Sequence, residues 1–128
     1  MQDTADEGMV ILVDDDAAVR NSLKFALELE GYSVQTYSSP EQALQEGHFP
    51  KRRCCLVLDY KLPHMDGLQL LKHLRARGVM LPAILITSNP STALNQQAFE
   101  AGIQLVEKPL LGDCLIQGIH GALAEARI

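Results

Sequence analysis

The chain has 128 residues, 47% of them hydrophobic and 21% charged, with a net charge of −5. That supplies one compact core and leaves little length for a second, and it lacks the low-hydrophobicity, high-charge signature of disorder. The acidic balance excludes non-specific attraction to nucleic acid or anionic membrane, and no window is long and apolar enough to span a bilayer. The start, MQDTADEG, is acidic where a secretory leader is basic, so the expected location is the cytoplasm.

Apolar runs and helical patterns alternate along the chain, as expected of βα units around a parallel sheet. The first strand is predicted over Met9–Val13. A helix follows over 17–30, where Val19, Leu23, Ala26 and Leu27 form one stripe, with Gly31 as a left-handed stop. The second strand is Ser33–Tyr37. Ser39-Pro40-Glu41-Gln42 reads as a capping box with proline at the first helical position, opening a short helix that ends near Gly47. The run CCLVL into Asp59 is the third strand, and 62–67 is a loop. Leu68, Leu70, Leu71 and Leu74 mark a third helix closing at Gly78. The fourth strand is Ala83–Thr87, and a helix over 91–101 turns Leu94, Ala98 and Ala101 inward with Phe99 off that line. Gln104–Glu107 is the fifth strand. A last helix over 110–127 buries Leu111, Leu115, Ile119, Ala122 and Leu123.

These elements make a single domain over 1–128. Its fold is expected to be a flavodoxin-like (βα)5 three-layer sandwich, with a parallel sheet in the order 2-1-3-4-5. In such sheets the ligand sits beyond the carboxyl ends of the strands, between the first and third. The three cysteines, Cys54, Cys55 and Cys114, lack metal-ligand spacing. Neighbours on one strand point to opposite faces, so packing roles are expected. His48, His64, His73 and His120 are scattered, as surface or packing residues would be.

Four predicted strands run apolar and stop at a polar residue: MVILV into Asp14-Asp15, CCLVL into Asp59, PAILI into Thr87 and QLVE into Lys108. All of these then share one edge of one sheet. Three converging carboxylates repel one another, so they should hold a proton or cation more avidly than isolated aspartates. An all-oxygen ligand set suits Mg²⁺ or Mn²⁺. Asp15 and Asp59 would hold the ion, with Asp14 acting through water and a backbone carbonyl near Lys61 completing the protein's share. Lys108 and the Thr87 hydroxyl would bind phosphoryl oxygens, leaving Asp59 as nucleophile.

With VDDD at 13–16, LDYKLPHMDG at 58–67, ITS at 86–88 and EKP at 107–109, the chain resembles the receiver domain of two-component response regulators over essentially its whole length. The helix text VRNSLKFAL and the EKP ending are most similar to the FixJ-like branch. The resemblance implies that Asp59 takes a phosphoryl group from a phosphohistidine of a sensor histidine kinase or phosphotransfer protein. It makes Asp14 and Asp15 the metal-binding pair, Thr87 the switch hydroxyl and Lys108 the phosphate-contacting lysine. Pro109 would follow a cis peptide bond, Asp16 would cap the first helix, and Lys61 and Asn89 would flank the pocket. The implied protein is not an enzyme beyond its own phosphorylation and dephosphorylation.

The sequence departs from the family pattern at Leu62, where methionine is common, and at Leu105, where an aromatic switch residue is usual. Without ring or hydroxyl, Leu105 would transmit phosphorylation differently. No output domain follows within these 128 residues. Three outputs are therefore open: a regulator acting by protein contact, a receiver from a longer FixJ-like DNA-binding transcription factor, and a phosphorylation-independent binding module of the same fold. A homodimer through the face of helix four, strand five and helix five would use Phe99, Leu105 and Cys114, and direct nucleic-acid contact is not expected. A haloacid-dehalogenase-type phosphatase would need an acid where Lys61 stands. A flavin site would need a phosphate-cradling loop where Asp14, Asp15 and Asp16 stand.

Overall fold

The computed structural model describes residues 8–108 and 114–126, with the side chains of the last helix described as far as residue 124. Five strands, β1 (Met9–Val13), β2 (Ser33–Tyr37), β3 (Cys54–Asp59), β4 (Ala83–Thr87) and β5 (Gln104–Glu107), alternate with five helices. These are α1 (Ala17–Leu29), α2 (Pro40–Glu46), α3 (Gly67–Ala76), α4 (Thr92–Glu100) and α5 (Cys114–Ala126). All strand pairings are parallel, and the order is β2-β1-β3-β4-β5, as the sequence predicts. The expected start of the last helix, 110–113 including Leu111, lies outside the described residues, as does Pro109.

Period-two alternation divides the core between the two faces of the sheet. Ile11, Val13, Cys54, Leu56, Leu58, Ala83 and Leu85 point to one side, where Ala43 of α2, Leu70, Leu71 and Leu74 of α3 and Leu94 of α4 cover them. Val10, Leu12, Cys55, Val57, Ile84 and Ile86 point to the other, under Leu27 of α1 and Leu115, Ile119 and Leu123 of α5. Cys54 and Cys55 thus face opposite layers, and burial pushes both thiols up to about 12. Cys114 differs from the packing role expected of it, since it is exposed at the start of α5.

Side-chain caps set the helix starts. Asp16 Oδ1 accepts from Ala18 N and Val19 N, and Ser91 Oγ accepts from Leu94 N at 3.0 Å. The predicted box at Ser39 is only half formed: Ser39 Oγ accepts from Gln42 N, but Gln42 Oε1 accepts from Ser38 N instead of the Ser39 amide. The reciprocal box stands at α3, where Asp66 Oδ1 accepts from Gln69 N and Gln69 Oε1 accepts from Asp66 N. Gly31 ends α1 as expected, at φ +98°. In α1 only Leu27 of the predicted stripe is fully buried, while Val19, Leu23 and Ala26 are half-buried. Among the described residues, no helix is long and apolar enough to cross a membrane.

Candidate functional site

The parallel register carries the strand-end residues to one edge. Val13 stands opposite Leu58 and Ile86 opposite Asp59, so Asp14, Asp59 and Thr87 emerge side by side. Backbone bonds continue the ladders past the strand ends: Asp14 N donates to Tyr37 O at 3.2 Å, Tyr60 N to Ile86 O at 2.7 Å and Lys108 N to Thr87 O at 2.7 Å. The site is therefore an extension of the hydrogen-bonded sheet itself.

Asp14, Asp59 and Thr87 are the buried polar residues among those described, while Asp15 is exposed at the rim. One carboxylate oxygen from each of Asp14, Asp15 and Asp59 falls within 4.8 Å of the others. Lys108 leans in from the end of β5, its Nζ 3.3 Å from Asp59 Oδ2 and 3.7 Å from Asp14 Oδ2. Lys61 donates its backbone N–H to Asp59 Oδ1 at 3.4 Å, and Thr87 Oγ1 accepts from Asn89 N at 3.2 Å. The Asp59 carboxyl is held above its ordinary pKa, first by burial and then by the Asp14 charge, with Lys108 and the Lys61 amide opposing. The avidity expected of the carboxylate cluster is thus expressed in the predicted nucleophile.

The donor set fits a small hard cation. Asp14 Oδ2 is buried without a hydrogen-bond partner, an arrangement that costs about 1–3 kcal/mol or more for a charged group unless something completes it. The Lys108 ammonium at 3.7 Å is too distant to do so by hydrogen bonding. A divalent ion held by Asp14, Asp15 and Asp59 would satisfy that oxygen and offset the repulsion among the three.

Leu105 lies away from this cluster. It pairs with Leu85 in the sheet, packs half-buried against the core, and lines a shallow groove of about 360 Å³ with Val106, Cys114 and Gln117. Phe99, on the outer face of α4, is 80% exposed. Among the contacts that escaped the sequence reading, three stand out. Arg20 Nη1 donates to Asp14 O at 2.8 Å. His64, at φ +72°, brings Nδ1 within 3.5 Å of Glu41 Oε2. The Tyr32 hydroxyl bonds His120 Nδ1 at 2.7 Å. None follows from local periodicity, since each depends on a loop path or on packing between distant elements.

A five-stranded parallel sheet carrying an acidic cluster, a hydroxyl and a lysine at its carboxyl edge defines a class, and the chain belongs to it: residues 10–120 match the response regulator receiver domain family of two-component systems. Among curated relatives, the chain is 36% identical over 118 residues to the transcriptional regulatory protein FixJ of Azorhizobium caulinodans, covering 91% of this chain and 56% of that protein. It is 34% identical to the response regulator MprA of Mycobacterium leprae, covering 92% of this chain and 52% of that one. Among solved structures, the response regulator StyR superposes with a TM-score of 0.84 at 29% identity, covering 95% of this chain and 62% of that one. The crystal structure of FixJ-N gives 0.76 at 32% identity, covering 97% of this chain and 96% of that one. The chain thus spans little more than half the length of the FixJ proteins it matches.

Proposed function

We propose that this chain is a phosphoacceptor response regulator that takes a phosphoryl group onto Asp59 from the phosphohistidine of a sensor histidine kinase or phosphotransfer protein. The observation that carries the reading is a buried aspartate at the end of the central strand, 3.3 Å from a lysine and grouped with Asp14 and Asp15. In the transfer, a P–O bond forms to the Asp59 carboxylate as the P–N bond to the donor imidazole breaks. The ring nitrogen leaves with the electron pair and takes up a proton. Mg²⁺ or Mn²⁺, held by Asp14, Asp15 and Asp59 with the Lys61 backbone carbonyl, would neutralise charge on the transferring group.

Lys108 then exchanges its contact with Asp59 for one with a phosphoryl oxygen, and Thr87 turns its hydroxyl toward another. The Thr87 hydroxyl now accepts from the Asn89 amide, so its reorientation pulls on the turn that opens α4. Hydrolysis of the acyl phosphate by water resets the domain, and no other substrate is turned over. The expected setting is cytoplasmic, and the signal passes by protein contact through α4, β5 and α5. Leu105 in place of an aromatic residue makes that face aliphatic, and Phe99 and Cys114 extend it toward a second copy. The FixJ relatives, transcriptional regulatory proteins of which this chain covers 56% and 58%, support a second arrangement, in which the receiver controls a DNA-binding output domain.

The test is intact mass after incubation with acetyl phosphate, with Mg²⁺ or with chelator, beside Asp59→Asn. One phosphoryl group gained only with both the metal and Asp59 is the expected result. Equal uptake by the Asn variant would overturn the assignment.

A further inference from the structure

The loop between β1 and α1 presents two of the three carboxylates, and a loop is usually the least rigid place from which to present a ligand. Here it is tied down along its length. Asp14 N donates to Tyr37 O at 3.2 Å, Asp14 Oδ1 accepts from Asp16 N at 2.9 Å, and Asp16 Oδ1 accepts from Ala18 N at 2.9 Å and Val19 N at 3.3 Å. The Asp14 carbonyl, just beyond the last residue of β1, is taken by a side chain: Arg20 reaches back from the first turn of α1 and donates from Nη1 at 2.8 Å. Asp14 Oδ2 is left without a hydrogen-bond partner.

We infer that Arg20 is a positioning residue for the metal-binding carboxylates, bracing the Asp14 backbone so that Asp14 Oδ2 and the Asp15 carboxylate are already arranged before an ion arrives. The inference rests on the functional reading above, in which these carboxylates hold Mg²⁺ or Mn²⁺. Among the described residues the Arg20 side chain forms no ion pair, and its hydrogen bond is the charge-assisted contact to this carbonyl. The bond also joins the loop to α1, making the two carboxylates and the first helical turn one body.

Charge and geometry predict opposite outcomes at this position. As a bare cation near an acidic cluster, Arg20 would repel a divalent ion, and its removal would tighten binding. As a brace, it lowers the cost of ordering the ligands, and its removal weakens binding; partners behind metal ligands commonly contribute about 10- to 100-fold in affinity.

The experiment is Mn²⁺ titration, followed by the electron paramagnetic resonance signal of the free ion, on the full chain as wild type, Arg20→Ala and Arg20→Lys. It is paired with hydrogen exchange at the Asp16 amide in chelator. The expected result is Mn²⁺ affinity about tenfold weaker in Arg20→Ala, part of it recovered in Arg20→Lys, and faster Asp16 exchange in metal-free Arg20→Ala. Equal or tighter Mn²⁺ binding by Arg20→Ala would overturn the brace. Should wild type itself bind no Mn²⁺, the metal reading of the site fails, and unchanged Asp16 exchange in Arg20→Ala would separately overturn the brace. A fold defect in the Ala variant is distinguished by Arg20→Lys, which retains a charged donor.

Discussion

At the centre of the sheet, β3 is buried at all six of its residues, whereas β5 at the edge has none fully buried: Gln104 and Glu107 are exposed, and Leu105 and Val106 half-buried. Asp59 ends the first of these strands and Lys108 follows the second. A residue on β3 is gripped by helices from both layers and by a strand on either side, so its end has little room to shift. One on β5 has a neighbour on a single side. The difference teaches where this fold can change: the strand end that carries Asp59 is anchored at the centre, whereas the edge strand, which the proposed function makes the partner face, holds Leu105 only half-buried against the core.

Breaking the centre should have the largest effect. Asp59→Asn is expected to abolish phosphoryl uptake, read by intact mass. Lys108→Ala, which removes the ammonium 3.3 Å from Asp59, should slow uptake about a hundredfold, as loss of one preorganised charge donor commonly does, and can be followed by the rate of mass gain from acetyl phosphate. Gly67→Ala is next. Its Cβ would stand 2.4 Å from the Asp59 carbonyl oxygen and 2.8 Å from Leu85 Cδ1, so α3 must move away from the strand. The expected cost is about 1–3 kcal/mol in urea unfolding, with slower uptake.

The stability of the metal-free protein should also depend on Asp59. Its folded pKa is raised, so the native state binds its proton more readily than the unfolded chain does. The deficit is complete above the folded pKa and is relieved as pH falls toward the ordinary carboxylate range. In chelator at neutral pH, Asp59→Asn should therefore melt higher than wild type, with the gap closing on acidification and shrinking when Mg²⁺ is added. The smallest effect belongs to the edge. Leu105→Tyr should change unfolding free energy by no more than about 0.5 kcal/mol, yet alter self-association of the phosphorylated form in sedimentation experiments.

What could be read in advance follows the same division. Strands covered on both faces appear as unbroken apolar runs, so the ends of β1, β3 and β4, and with them Asp14, Asp59 and Thr87, stand out in the text. The inward face of α4 was visible too, with Leu94 and Ala98 buried and Phe99 outside. Contacts that depend on how loops travel were not. Arg20 reads as an ordinary helix-surface cation until the Asp14 carbonyl is seen beside it, and Tyr32 and His120 meet across 88 residues of sequence. Gln42 sits at the correct box position but takes the neighbouring Ser38 amide, a choice made by the chain's entry angle and not by spacing.

The unequal cysteines give the protein a built-in handle. Thiol-directed reagents react with the thiolate, and Cys54 and Cys55 are both buried and shifted to about 12. Cys114 alone is exposed, beside Leu105 and Val106 in the groove between β5 and α5. A single fluorophore or spin label can thus be attached to the unaltered sequence, on the face that the proposed function gives to a partner, leaving the acidic strand-end cluster untouched.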